Sequence, residues 1–198
     1  VIIAGIIGAR IFYVVGQWSE YQNNLWDIFA VQKGGLVFLG GFLFDLAVVI
    51  WFAKRKNIPL LRLLDILAPG SALGYAIGRV GCFLNGCCFG LPTSIPWAIK
   101  FPAGSLAHSY YPNQFLHPTQ LYAILIMFLA FIALVYIYRR KKRDGQVFYY
   151  FFIFYGSYRL IVEFFRFSPI HWLGLTPSQW LALIFILLAG YGLSRNGK

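Results

Sequence analysis

The chain has 198 residues, of which 60% are hydrophobic, 20% aromatic and only 12% charged, with a formal net charge of +11. Soluble domains carry about a quarter charged residues, so this composition excludes an ordinary water-soluble domain. It excludes a nucleic-acid partner as well, because most of the Lys and Arg sit in short clusters beside apolar runs (Lys54 to Arg62, Arg139 to Arg143, and Arg195 with Lys198), the pattern of cytoplasmic loops.

Apolar runs predict six transmembrane helices, over roughly 1–16, 36–53, 63–84, 119–138, 147–166 and 177–194. The expected fold is therefore all-α, a polytopic helical bundle forming a single integral membrane domain over 1–198. The first span opens abruptly on "VIIAGIIGAR", without Met or a basic leader, and we expect an upstream segment before it. With the basic clusters placed inside, the spans alternate consistently. Connections 17–35 and 85–118 then form an outer-face loop region whose basic residues are Lys33 and Lys100.

Span two opens on "GGLVFLGG" (Gly34 to Gly41), where Gly40 and Gly41 permit close approach of a helix or a ligand. Span three ends in "GRVGCFLNGCCFG" (Gly78 to Gly90), which holds Arg79, Asn85 and all three cysteines. The spacing of Cys82, Cys87 and Cys88 is unlike the paired C-x2-C of zinc sites, and only His108, His117 and His171 could complete a set. No metal or other cofactor is expected. Small apolar residues shaping a tight turn are the leading reading of the cysteines; a disulfide, or a thiolate favoured by Arg79, stays open. Span four opens on "HPTQLY", bringing His117, Gln120 and Tyr122 to the same outer level.

Seven ionisable residues fall inside the spans: Arg10, Asp45, Asp65, Arg79, Arg159, Glu163 and Arg166. Each is costly against lipid and should face a bundle interior or cavity. Asp65 reads as a first-turn charge of span three. On span five, Tyr155, Arg159, Glu163 and Arg166 are spaced to form one polar stripe. Arg79, Arg159 and Arg166 then outnumber the single carboxylate. Guanidinium groups suit phosphate and do not shed their charge, so a phospholipid headgroup is the expected anion.

In this order, these stretches resemble the prolipoprotein diacylglyceryl transferase family. "GRVGCFLNGCCFG" resembles its signature G-R-x-G-N-F-x-N-x-E-x-x-G through Arg79, Gly81, Phe83, Asn85 and Gly90. "HPTQLY" resembles H-P-S-Q-L-Y-E, and "YGSYRLIVEFFR" resembles Y-G-x-x-R-x-x-x-E-x-x-R. Gln179 stands where the family opens its last helix with Gln. The resemblance implies a bacterial inner-membrane transferase, multi-pass, with its active site toward the outer leaflet. Its partners would be phosphatidylglycerol, the lipobox of a prolipoprotein signal peptide and the surrounding membrane lipid. A diacylglyceryl group would pass to the lipobox thiol as a thioether, with release of glycerol phosphate. Arg79 and Arg159 would stabilise the leaving phosphate, Glu163 would orient Arg159, and Asn85, Tyr155, Arg166, Gln120, Tyr122, Gly40, Gly41 and Gly90 would shape the substrate site. The pattern is broken at Leu39, where the family has His, and at Cys82, Cys87 and Ala123, where it has Asn, Glu and Glu. His117 is the remaining candidate general base. A non-catalytic lipid or lipoprotein binder, and a transferase with another acceptor, are the competing readings.

Overall fold

The computed structural model describes residues 1–22, 24–168 and 172–195. Its helices are α1 (Ile2–Gly16), α2 (Trp18–Tyr21), α3 (Phe38–Arg55), α4 (Leu60–Leu84), α5 (Leu106–Tyr110), α6 (Thr119–Arg140), α7 (Gln146–Glu163) and α8 (Pro177–Arg195). Among the described residues the only β pairing is a set of isolated bridges. Each predicted span is a helix. Three of them, α4, α6 and α8, are long and apolar enough to cross a membrane by length and composition. The chain is a helical, multi-pass membrane protein. Lys54 and Arg55 close α3, Arg139 and Arg140 close α6, and Arg195 closes α8, where cations favour the negative end of the helix dipole. Lys198 and His171 lie outside the described residues.

The chain divides into two compact units, Val1–Leu63 and Leu64–Lys198. In the first, α1 packs on α3 through glycines. A methyl group at Gly41 would come within 2.9 Å of the Gly5 carbonyl oxygen, and one at Gly40 would collide with the carbonyl of Gly8. Membrane helices associate closely through such small residues because lipid offers no hydrophobic drive between them. Arg10, 6% exposed, donates to the carbonyls of Ile28, Gly34, Gly35, Asp27 and Ala30 at 2.6–3.4 Å. Every N–H of its guanidinium is engaged, so Arg10 folds the loop after α2 and has no donor left for a lipid anion.

The second unit has a core of Ala68, Ala72 and Ala76 on α4 against Ala123, Met127 and Leu134 on α6 and Val147, Tyr158 and Val162 on α7. Alanines four apart on α4 let the neighbouring helices approach. Gly156 does the same between α7 and α8, where Ile186 and the Ala182 carbonyl leave no room for a Cβ.

Asp65 is fully buried and does not serve its own helix, which begins at Leu60. Its carboxylate accepts from the backbone N–H of Gly145 (2.8 Å) and Phe148 (2.9 Å) and from Lys141 Nζ (2.8 Å). It therefore caps α7 from α4, filling the role an N-cap side chain would have. Gly145, the residue preceding α7, has φ +91°, which glycine adopts without a side-chain clash.

The connection 85–118 is folded around its own small core of Phe89, Phe101, Ala107 and Leu116. Ser105 caps the short α5, accepting from the His108 N–H at 3.2 Å.

Candidate active site

The site gathers at the C-terminal ends of α4 and α7 and the start of α6. Arg79 donates to the Tyr75 hydroxyl one turn earlier, at 2.5 Å. The Tyr75 ring meets those of Tyr155 and Tyr158 edge-on, with centroids 5.5 and 5.9 Å apart. Tyr155 in turn lies within electrostatic reach of Arg159, Arg79 and Arg166. The charges of three guanidinium groups thus reach one tyrosine.

The local counter-charge is Glu163, whose side chain is 2% exposed. Its Oε2 lies 3.4 Å from Arg159 Nη2 and 3.8 Å from Arg166 Nη1, too far for a full hydrogen bond with either. Arg159 donates instead to Ser178 Oγ at 2.8 Å, and Arg166 Nε, also buried, has no hydrogen-bond partner. Two of the three cations, Arg159 and Arg166, face this carboxylate, and part of their donor capacity is unused.

Arg166 differs from its expected place. Helix α7 ends at Glu163, so Arg166 is not on the helical stripe with Tyr155 and Arg159. The last turn tightens, with Phe165 N–H bonding Val162 and Arg166 N–H bonding Glu163. The chain then bridges to the loop at Gly90. Gly90 is required at this crossing. A Cβ there would stand 2.6 Å from the carbonyl oxygens of both His117 and Phe165.

The start of α6 holds the cysteine turn in place. Gln120, 1% exposed, donates to the Cys87 carbonyl at 2.7 Å, and Thr119, 2% exposed, donates to that of Cys88 at 2.8 Å. Gln120 thus grips backbone rather than facing an open cavity. Gly86 and Cys88 both have left-handed φ, +65° and +58°, an unfavourable conformation for Cys that these two bonds help to maintain. Cys82, Cys87 and Cys88 are free thiols, and their sulfur atoms all lie within 4.8 Å of one another. Asn85 is exposed at the end of α4.

His117 and Tyr122 are joined through His117 Nδ1 and the Tyr122 hydroxyl at 3.2 Å, and Trp97 Nε1 donates to that hydroxyl at 2.9 Å. Indole can only donate, which leaves the tyrosine proton free to point to Nδ1, the arrangement in which the imidazole carries its own proton on Nε2. Burial holds the His117 pKa below its usual value, which keeps the ring neutral. Gly40 and Gly41 belong to the α1–α3 crossing of the first unit.

Sequence reasoning missed Tyr75, Thr176, Ser178 and Trp97, and named Gln179 without its partner. Tyr75 was detectable from its spacing four residues before Arg79. Thr176 and Gln179 form a capping box for α8: Thr176 N–H donates to Gln179 Oε1 (2.9 Å) and Gln179 N–H to Thr176 Oγ1 (3.2 Å). The pattern T-P-S-Q, with proline at the first helical position, carries that signal. Ser178 and Trp97 carry none, because their partners are remote in sequence. Beside the site, a cavity of about 320 Å³ is lined by Glu163, Arg166, Thr176, Gln179, Leu91 and Tyr111, among others.

Fold and site together define a multi-pass helical membrane protein with a cluster of arginines at the ends of its helices. The family model for prolipoprotein diacylglyceryl transferase matches residues 1–194. A phosphatidylglycerol–prolipoprotein diacylglyceryl transferase of Finegoldia magna is 39% identical over 186 residues, covering 93% of this chain and 71% of the relative. Proteins of the same name from Clostridium tetani (35% identity; 94% and 74% covered) and Pseudomonas putida (37% identity; 98% and 71% covered) are similar over nearly the same extent. The chain belongs to the prolipoprotein diacylglyceryl transferase family.

Proposed function

We propose that this protein transfers the diacylglyceryl group of phosphatidylglycerol to the cysteine thiol of a prolipoprotein lipobox, in the bacterial cytoplasmic membrane and from the outer-leaflet side. Sulfur attacks the glyceryl carbon that bears the phosphate, the carbon–oxygen bond breaks, and glycerol phosphate departs with the electron pair. The observation that carries this reading is that the charges of Arg79, Arg159 and Arg166 all reach Tyr155, while the one carboxylate, Glu163, is shared by Arg159 and Arg166. Negative charge grows on the leaving phosphate, and donors already aimed at it contribute several kcal/mol in a water-poor site.

Arg79 and Arg159 act on the phosphate directly. Glu163 orients Arg159, Tyr155 contributes a hydroxyl to the headgroup, and Gln120 and Gly90 fix the backbone that shapes the site. His117, with Tyr122 as its hydrogen-bond partner, takes the thiol proton in place of the family histidine replaced by Leu39. The resident groups need no metal for this step, because a neutralised phosphate leaves readily.

The test is transfer from phosphatidylglycerol to a lipobox peptide, read as thioether product. Arg79→Ala and Arg159→Ala should each lower the rate by at least about 10²–10³-fold while the protein stays folded. Phospholipid binding without turnover in the unaltered protein would overturn the assignment in favour of a non-catalytic binder.

A further inference from the structure

The three thiols have no part in the transfer step described above, yet they are arranged with care. Cys82 closes α4, while Cys87 and Cys88 lie on a turn pinned by Gln120 and Thr119. The left-handed backbone at Cys88 turns its side chain back toward the other two. All three sulfurs lie within 4.8 Å of one another and are half-buried. Three thiolates around one ion at about 2.3 Å stand roughly 3.8–4.0 Å apart, so small side-chain rotations close the triangle. The linear spacing concealed this, because it lacks a C-x2-C pair; the turn supplies in space what the spacing lacks.

We propose that Cys82, Cys87 and Cys88 form a three-thiolate site for a thiophilic, closed-shell cation of the Cu(I), Zn(II) or Cd(II) class. Sulfur ligands without oxygen favour such ions over Mg(II), Ca(II) or Mn(II). Among the described residues no histidine or carboxylate joins the cluster. That suits three-coordinate Cu(I), or a Zn(II) completed by solvent. Cys88 lies within electrostatic reach of Arg166 and Arg79. Three thiolates around a divalent ion leave one net negative charge beside those same arginines. On the reading of Arg79 as a phosphate ligand, a bound cation would therefore compete electrostatically with the lipid headgroup.

The experiment is titration of the reduced, metal-free full chain with Cd(II) in phospholipid-free detergent, followed by thiolate-to-metal charge-transfer absorbance. Alkylation counted by intact mass reports which thiols are shielded. Expected are a sharp break at one equivalent, joint shielding of all three cysteines, and at least a tenfold loss of affinity in Cys88→Ser. A titration without a break at one equivalent, shielding of only two thiols, or an unchanged affinity in Cys88→Ser would overturn the proposal. Should Cys88→Ser fail to fold, stoichiometry and shielding in the unaltered chain decide alone. No lipid substrate enters the measurement, so its failure leaves the transferase reading untouched, and the reverse also holds.

Discussion

At the residue scale, Glu163 is held between two arginines and fully bonded to neither. Glu163→Gln removes the charge that steers Arg159 while keeping the shape. A guanidinium misplaced by about 1 Å can cost on the order of 10²-fold in rate, and we expect a loss of that size, in kcat more than in KM. His117 predicts a pH profile. Its pKa is lowered by burial, and the neutral form is the useful one, so transfer should persist below pH ~6.5 and fade as the pH falls through the lowered value. The same sign applies to stability, which falls as acid charges a ring the fold keeps neutral. An acidic limb centred above the usual histidine value, or one unchanged in His117→Gln, would remove His117 from the mechanism. Gly90→Ala should abolish both activity and expression, because its Cβ would meet two carbonyl oxygens.

At the element scale, helices were the most legible feature and caps the least. All six apolar runs became helices whose ends shifted by at most three residues. Periodicity reports burial along a helix but not what happens beyond its last turn. For that reason Arg166 was expected on α7 and instead lies just past it. Asp65 was misread for a related reason: its three partners are the N–H groups of Gly145 and Phe148 and the Lys141 ammonium, about eighty residues away. Burial lowers the Lys141 pKa, but Asp65 and Asp144 outweigh this and raise it. On the lysine side, the contribution of that pair is thus fully present at neutral pH and is lost as strong alkali discharges Lys141. Asp65→Asn should cost about 2 kcal/mol or more, read as a lower unfolding temperature in detergent, and Thr176→Ala about 1 kcal/mol through the α8 cap.

At the scale of the whole molecule, the sidedness expected from the three basic clusters is one that labelling can read. A cysteine at exposed Lys142 (Lys142→Cys) should react with a membrane-impermeant maleimide only after the cells are opened. One at exposed Ser94 (Ser94→Cys) should react from outside, both on a background in which the native cysteines are serine. The reverse pattern would overturn the expected topology and with it the proposal of an outer-leaflet site. The charge count behind the site was legible because arginine inside a membrane demands an explanation. Convergence of the sulfurs was not, since it depends on one turn held by side chains from another helix.

The buried contact between Asp65 and the amide of Gly145 also works as a common datum. Arg79 follows Asp65 by fourteen residues along α4, and Arg159 follows Gly145 by fourteen along α7. At a rise of 1.5 Å per residue, the Cα of each arginine stands about 21 Å along its helix from the same origin. Two rulers of equal length, pinned at one end, bring their far marks level. Deleting a single residue from either stretch would lower one mark by 1.5 Å and swing it about 100° around its helix, so the mutual level of the two arginines depends on a junction at the opposite end of the helices.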